Sequence, residues 1–294
     1  MDVTIVFVNY KTKDLTINAI NSVIEKTEGI EYEIFVVDNN SQDGSIEAIE
    51  ELFPNINIIK NPINAGFGAA NTLAIRQAKG KYILCLNTDT LLINNAIKIM
   101  FDFMEKEENQ NVGVCGGYLV DENKNPCFCG GYFPSLTELI WKFGIKYIFK
   151  NNYQYITTAI CSDVAIKHQN IDHLIGANIF FRKSVLDNVG LFDENYFMYR
   201  EETDLCKRIS DDGFTAKIVQ NARIIHLEGK SFNNNYQKIK HFKTSEFYYF
   251  KKHHHNKFLL FKLLYLILYF IDGILLGNKK GRQLFKFILK GCKD

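Results

Sequence analysis

Through the first 90 residues, the pattern of hydrophobic and polar positions consists of short apolar runs that alternate with helix-like stretches. Four short apolar runs bounded by polar clusters indicate buried strands. They lie at residues 3–8, 33–37, 56–59 and 82–86. Helical spacing or helix-start residues mark the stretches between them, at 15–24, 46–52 and 73–78. This order predicts an α/β fold, with a mostly parallel sheet flanked by helices.

Polar clusters follow three of these strands at the point where each apolar run ends. They are Asn9-Tyr10, Asp38 to Ser41, and Asn87-Thr88-Asp89. Ligands of open α/β sheets bind at the carboxyl ends of the strands, so we expect the three clusters to converge on one site. Each cluster taken alone also has the composition of an ordinary turn or helix cap.

A dense group of acids lies in the second half of the chain, at Glu201, Glu202 and Asp204. At helical spacing Glu201, Asp204 and Arg208 share one face, and Glu202 points elsewhere. From the residues alone, the favoured interpretation is a charged helix start with an Asp204–Arg208 pair, and catalysis is the alternative. Two strand-like runs follow, at 216–219 and 222–225, and His226 comes directly after them.

The end of the chain is both apolar and basic. Residues 258–276 contain 16 apolar residues out of 19, and residues 233–294 hold 13 Lys and Arg against 3 Asp and Glu. Lys262 and Asp272 disfavour a clean membrane span. We therefore predict a helix lying in an anionic membrane surface and continuing into 285–289. The alternatives are a helical appendage packed on the domain and a dimer contact.

Composition removes several other classes. The 47% apolar fraction indicates a globular protein. Seven scattered cysteines and an acidic start without a secretory leader favour a reducing cytoplasm. Cys127 and Cys129 lack a second ligand pair for zinc. The glycine-containing segment 66–71 follows a later strand and ends in Asn71, which argues against a dinucleotide-binding oxidoreductase.

Four motifs in this order resemble the family-2 glycosyltransferases of the GT-A fold, in particular the bacterial rhamnosyltransferase-like members. The motifs lie at 8–10, 36–45, 61–71 and 86–90. The resemblance covers residues 1–232. It implies a GT-A glycosyltransferase domain over 1–232. The charge and apolar pattern described above predict a basic helical tail over 233–294 that associates with the membrane.

The same resemblance implies the site residues. The expected nucleotide-binding positions are Val8, Asn9, Tyr10, Asp38, Asn40, Asn64, Gly66, Phe67, Asn71 and Asn87. Asp89 and His226 are expected to hold Mg²⁺ or Mn²⁺ on the diphosphate. Asn87 stands where the family has a first acid, so the turn offers one carboxylate. Glu202 matches the position of the general base, with Glu201 as the alternative, although the family has aspartate there.

The function implied is an inverting glycosyltransferase of bacterial envelope polysaccharide synthesis. The expected donor is a nucleotide-diphosphate sugar, dTDP-rhamnose in particular, and the expected acceptor is a lipid-linked saccharide. The expected location is the cytoplasmic face of the inner membrane, and the oligomeric state stays open. One alternative is a non-catalytic, membrane-associated nucleotide-sugar-binding protein of the same fold, which Asn87 favours. Another is nucleic-acid binding through the tail, but its aromatics cluster with aliphatics, which favours lipid, so no nucleic-acid partner is expected.

Overall fold

Residues 1–137, 139, 171–227 and 235–292 are described by a computed structural model of the chain. They divide into two units. The first comprises residues 1–131, 171–197 and 201–227, and the second comprises 132–137, 139, 198–200 and 235–292. The predicted boundary at residue 232 lies outside the described residues and stays a prediction.

The first unit is organised by an eight-stranded sheet. The strands of this unit are β1 (Val3–Asn9), β2 (Tyr32–Asp38), β3 (Asn57–Lys60), β4 (Tyr82–Leu86), β5 (Thr90–Leu92), β6 (Val112–Val120), β7 (Gly130–Gly131), β8 (His173–Leu174), β9 (Asn178–Arg182) and β10 (Thr215–His226). The sheet has the order β3-β2-β1-β4-β9-β6-β10-β5, and β7 pairs with β8 separately. Strands β1 to β4 pair in parallel, as do β6 and β10. Strand β5 pairs antiparallel with β10, and β9 pairs antiparallel with both β4 and β6. The predicted mostly parallel sheet is confirmed.

Helices flank this sheet, as the alternation of the sequence predicts. They are α1 (Lys13–Lys26), α2 (Ser45–Leu52), α3 (Phe67–Ile75), α4 (Ala96–Glu105), α5 (Lys183–Val189) and α6 (Glu201–Asp211). Helix α1 buries Ala19, Ile20 and Val23 in the core that β1, β2 and β4 share. Strand β4 is buried along its whole length, which explains its unbroken apolar run.

Two local predictions for the first unit are wrong, and two elements were not predicted. Helix α3 begins at Phe67 and not at Leu73, because Gly68 and the alanines after it are helical and pack closely: a Cβ on Gly68 would lie 3.0 Å from Phe192 Cβ. The two strand-like runs near residue 220 form one strand, β10, with an irregularity between Val219 and Arg223. Helix α4 and the short strand β5 were not predicted.

Residues 235–292 of the second unit form three α-helices. They are α7 (Asn235–His253), α8 (Phe258–Phe270) and α9 (Lys279–Leu289), with a π-helical turn at Ile271–Leu275. Gly277, with φ +73°, ends the apolar segment, and Asn278 caps α9 by accepting from Lys280 N and Gly281 N. The prediction of one helix continuing into 285–289 is therefore wrong, because the glycine and the cap divide it.

Candidate active site

The ends of β1 and β2 are joined by a buried polar cluster. Asn9 pairs with Asp38 in the parallel register, and Asn9 Nδ2 donates to Asp38 Oδ1 over 2.7 Å. The same amide donates to Ser41 Oγ and Ser45 Oγ. Asp38 Oδ2 accepts only from Ser41 N among the described residues, at 3.0 Å. Because a carboxylate oxygen can accept two hydrogen bonds, Asp38 can still receive an N–H from a ligand.

Three threonines connect this cluster to β4, and two of them, Thr12 and Thr16, were not singled out from the sequence. Thr12 Oγ1 and Thr16 Oγ1 each donate to Asn9 Oδ1 over 2.9 Å. Thr88 Oγ1, just beyond β4, donates to Thr12 Oγ1 over 3.1 Å. The three polar clusters that follow strands therefore converge, as predicted. The only sequence signal for Thr12 and Thr16 is their position within a few residues of the end of β1.

The Asn-rich loop at 61–66 is held to the end of β2 by Asn39. Asn39 Nδ2 donates to Asn64 Oδ1 over 2.9 Å and to Gly66 O over 3.1 Å. Asn39 Oδ1 accepts from Asn61 Nδ2 over 2.8 Å. Asn39 was not among the predicted site residues, but its three bonds hold the loop that contains Asn64.

Gly66 has a structural reason to be glycine. Its φ is +89°, and a Cβ there would lie 2.0 Å from the carbonyl oxygen of Phe197. The next amide, Phe67 N, donates to that same oxygen over 3.1 Å. The loop at 61–66 is thereby fixed to the segment that precedes α6 in the chain.

The other residues that were predicted to bind the nucleotide differ in their exposure and in their hydrogen bonds within the protein. Tyr10 is exposed and Val8 is half-buried at the end of β1. Asn40 has φ +64° and accepts from Gln42 Nε2. Asn71 is buried inside α3, where its Nδ2 donates to Phe67 O over 3.0 Å, so the structure gives it a role within the helix. Contact of these residues with a nucleotide stays a prediction.

The structure brings Asp89 and His226 together. Strands β5 and β10 pair antiparallel with His226 opposite Thr90, and Leu227 N donates to Asp89 O over 2.8 Å. His226 Nε2 lies 3.5 Å from Asp89 Oδ1. Asn87 lies at the same edge, with its N–H donating to Ala177 O. Residues 228–231, which follow His226 in its motif, lie outside the described residues.

This pair fits a divalent cation that a substrate also coordinates. Among residues 1–137, 139, 171–227 and 235–292, no three His, Cys, Asp or Glu side chains cluster as a complete metal site. Mg²⁺ is usually bound by one or two carboxylates together with substrate phosphates, and not by an all-protein cage. Asp89 supplies one carboxylate of that pattern, and His226 adds an imidazole nitrogen, so the two side chains can hold a metal only together with a ligand.

The acidic cluster begins α6, and its members point in different directions. Asp204 is fully buried and accepts from Arg208 Nε over 3.0 Å, which confirms the predicted pair. Glu201 is also buried, whereas Glu202 is partly exposed. Burial, and secondarily the neighbouring charge of Glu202, raises the pKa of Glu201 well above its ordinary value. Glu202 is therefore the better placed of the two to exchange a proton with a substrate.

The start of α6 packs against the start of α3. A Cβ built on Gly68 would lie 3.3 Å from Glu201 Cβ, and Gly68 comes two residues after the loop at 61–66. The geometry thus links the acids of α6 with the loop that Asn39 fixes to β2. The first unit therefore brings together the Asp38 carboxylate, the Asp89–His226 pair and, at the start of α6, the partly exposed Glu202.

Comparison with known proteins shows the family to which this chain belongs. A family model for glycosyl transferase family 2 matches residues 3–190. An N-acetylglucosaminyl-diphospho-decaprenol L-rhamnosyltransferase of Mycobacterium tuberculosis is 23% identical over 209 residues, which cover 67% of this chain and 67% of that protein. The rhamnosyltransferase WbbL of Escherichia coli is 27% identical over 168 residues, covering 55% and 60% of the two chains.

A solved structure shows the same fold. A mannosyltransferase from Pyrobaculum calidifontis, in complex with GDP-Man and Mn²⁺, superposes with a TM-score of 0.58 at 15% identity. The superposition covers 85% of this chain and 63% of that one. The predicted GT-A fold is confirmed by this likeness.

Proposed function

The chain belongs to glycosyl transferase family 2 and is a glycosyltransferase, and we propose that it transfers rhamnose from dTDP-rhamnose to a lipid-linked saccharide with inversion. The contact between Asp89 and His226 at the sheet edge carries this proposal. It places a carboxylate and an imidazole beside the connected ends of β1, β2 and β4, where a nucleotide diphosphate would bind.

The proposed reaction is a single displacement. The acceptor hydroxyl forms a bond to the anomeric carbon as the bond from that carbon to the diphosphate oxygen breaks. Glu202 takes the hydroxyl proton, and the nucleoside diphosphate leaves on the opposite side. Asp38 accepts an N–H from the base, which orients the donor. Mg²⁺ or Mn²⁺ held by Asp89, His226 and the donor phosphates would supply charge that stabilises the leaving group.

The donor and acceptor follow from the relatives. The mycobacterial and E. coli relatives are both named as rhamnosyltransferases, and the name of the former includes a diphospho-decaprenol acceptor. The site is compatible with such a donor, because Asp38 retains an acceptor for a pyrimidine N–H. The product would be an intermediate of bacterial envelope polysaccharide synthesis.

A donor panel tests this proposal. We expect the full chain to transfer sugar from dTDP-rhamnose to a short polyprenyl-diphosphate N-acetylglucosamine, at least about tenfold faster than from UDP-glucose or GDP-mannose. Mass spectrometry of the lipid product measures the transfer, and EDTA should abolish it until Mg²⁺ or Mn²⁺ is restored. Faster transfer from another nucleotide sugar would overturn the choice of donor. Nucleotide binding without turnover of any donor would overturn the enzyme assignment and favour a binding protein.

We also propose that the second unit binds the cytoplasmic face of the membrane. Leu259, Leu263, Ile267, Phe270 and Ile274 are all exposed, and together they form the exposed ridge. The segment His255–Leu275 is long and apolar enough to cross a membrane by length and composition alone. Lysines precede and follow it, as in helices that lie in an anionic interface. Lys262 and Asp272 within the segment favour the interfacial arrangement over a span.

Vesicle sedimentation tests this placement. Replacing Leu263 and Ile267 together with asparagine should weaken binding to phosphatidylglycerol-containing vesicles roughly 10- to 30-fold, because about half of each side chain would no longer be buried in lipid. Leu52→Asn, at a similarly exposed position on α2, is the control and should leave binding unchanged. Equal binding by the double variant would refute the ridge as the contact. Retention of the full chain in vesicles after carbonate extraction would indicate a span instead.

A further inference from the structure

Two buried oxygen atoms of the first unit lack a hydrogen-bond donor. Glu201 is only 4% exposed and Asn71 only 1% exposed. Neither Glu201 Oε2 nor Asn71 Oδ1 has a partner among the described residues. Buried polar atoms in native proteins are nearly always hydrogen-bonded, so each of these oxygens requires an explanation. The displacement proposed above uses neither side chain.

Both side chains lie over the first turn of α3. A Cβ built on Gly68 would lie 3.3 Å from Glu201 Cβ and 3.4 Å from Glu201 Cγ, so the Glu201 side chain occupies the space that a larger residue would fill. Asn71 Nδ2 donates to Phe67 O over 3.0 Å, so its amide group folds back onto the same turn. A helical side chain covers the turn that precedes it, which directs Asn71 towards Gly68 and Phe67. The carboxyl group and the amide group therefore approach the same turn of α3.

A single proton would satisfy both oxygens. Asn71 Oδ1 can only accept a hydrogen bond, and an ionised carboxylate can only accept as well. Two acceptors cannot bond to each other. A protonated carboxyl group, in contrast, has one O–H that can donate. Protonation of Glu201 would therefore provide a donor for Asn71 Oδ1 and give Glu201 Oε2 a partner.

The surroundings of Glu201 within α6 favour its protonated form. Burial is the main cause that raises the pKa of Glu201, and the negative charge of Glu202 adds to it. Asp204 shares a face with Glu201, but it accepts from Arg208 Nε over 3.0 Å. The positive charge of Arg208 is thereby compensated and does not stabilise an ionised Glu201.

The segments packed against α6 supply no counter-ion either. Helix α3 contains no ionisable side chain, and Arg76, just after it, pairs with Glu194 on the surface. Asp193 accepts from the backbone of its own turn. On β8, His173 Nδ1 contacts the carbonyl oxygen of the next residue. Among the described residues, Glu201 forms no ion pair with any of these groups.

We propose that Glu201 is protonated in the native enzyme and that its carboxyl O–H donates to Asn71 Oδ1. This bond fixes the first turn of α6 on α3, which makes Glu201 a positioning residue for Glu202. A neutral Glu201 also adds no negative charge beside Glu202, so Glu202 stays ionised and able to accept a proton. The positioning role rests on the proposed function, whereas the buried proton does not.

Infrared difference spectroscopy tests the proton and its acceptor. Near neutral pH, the spectrum of the parent minus that of Glu201→Gln should contain the carbonyl band of a protonated carboxyl group. Asn71→Leu removes the acceptor and should shift this band to higher frequency. Thr72→Val is the matched control, because Thr72 is also buried in α3 and has no partner, and it should leave the band in place. Absence of the band from the parent would overturn the proposal, as would an unchanged band in folded Asn71→Leu.

The pH dependence of unfolding tests the proton without relying on Asn71. An unfolded glutamate ionises near pH 4.3, at about its ordinary pKa, whereas folded Glu201 keeps its proton to higher pH. The stability that the proton contributes is complete below that pH and is lost as pH rises towards the folded pKa. Glu201→Gln should therefore match the parent Tm near about pH 4 and exceed it by at least about 3 °C near about pH 8. Glu47→Gln, exposed on α2, should show no such gap, and a gap independent of pH for Glu201→Gln would overturn the proposal.

Transfer rates test the positioning role. Glu201→Met has a similar volume but no donor, and it should lower kcat by about 10- to 100-fold while the KM for the donor stays unchanged. Glu201→Gln should retain most of the rate, because its amide N–H can donate to Asn71 Oδ1. Equal rates for the two variants would remove the positioning role. A parent without transferase activity would count against the proposed function, and the infrared and thermal results would still decide whether the proton is present.

Discussion

Asp89→Asn should reduce metal-dependent sugar transfer by about two to three orders of magnitude, the loss seen when a group that stabilises transition-state charge is removed. Asparagine keeps the shape of the side chain but cannot neutralise a divalent cation. The turn Asn87-Thr88-Asp89 has asparagine where the family resemblance leads us to expect a first acid, so Asp89 is the only carboxylate of this turn. The loss should appear in kcat and in the metal concentration needed for half-maximal rate. Steady-state assays across a Mn²⁺ titration measure both.

Asp121→Asn is the matched control for Asp89→Asn. Asp121 also follows a strand directly, but its Oδ1 accepts from Asn123 N and Asn125 N within its own turn. Its replacement should leave transfer unchanged, while a thermal melt checks that both variants stay folded. If Asp89→Asn retained more than a tenth of the parent rate, metal binding through Asp89 would be excluded. His226→Asn should cause a smaller loss, because imidazole contributes no negative charge to the pair.

Glu202→Gln should lower kcat by about two to four orders of magnitude, the contribution expected of a positioned general base. The KM for the donor should not change, because the proposed role concerns the acceptor hydroxyl alone. Glu202→Asp should recover part of the rate, since aspartate keeps the chemistry and changes only the reach. Pre-steady-state transfer assays with saturating donor separate this chemical step from product release.

Glu201→Gln distinguishes the two neighbouring acids. Burial raises the pKa of Glu201 and so favours its protonated form, which glutamine resembles in size and charge. We expect Glu201→Gln to keep the rate within about tenfold of the parent, well above Glu202→Gln. Glu47→Gln, in the first turn of α2, controls for the loss of a helix-start charge. The opposite ranking of the two variants would assign the base to Glu201.

The sequence was most informative where a strand ends. A buried parallel strand requires a short run of apolar residues, and the carboxyl ends of such strands lie at one edge of the sheet. The apolar runs before Asn9, Asp38 and Asn87 therefore predicted both the strands and the convergence of their ends. The Asp204–Arg208 pair could also be predicted from the sequence, because helical spacing determines which side chains meet.

The parts that escaped prediction depend on contacts between distant segments. Thr12 and Thr88 are 76 residues apart, and only the sheet brings their hydroxyls together. Helix α3 looked like a loop because glycine and alanine carry no apolar pattern, although their small size is what allows α3 to pack on Phe192 and Glu201. The approach of His226 to Asp89 was expected from the family resemblance alone. The residues themselves could not give it, because it depends on the antiparallel pairing of β5, a strand of three residues that is too short for a clear pattern.

The close approach at Gly66 also affects how sequence motifs of this kind should be read. Glycine is needed at this position because a carbonyl oxygen from a segment about 130 residues later occupies the place of a side chain. The glycine therefore carries information about chain architecture and none about which sugar or nucleotide is bound. When distant homologues are sorted by specificity, this position should be given no weight, and neighbouring exposed positions such as Ile63 are where lineages are free to diverge.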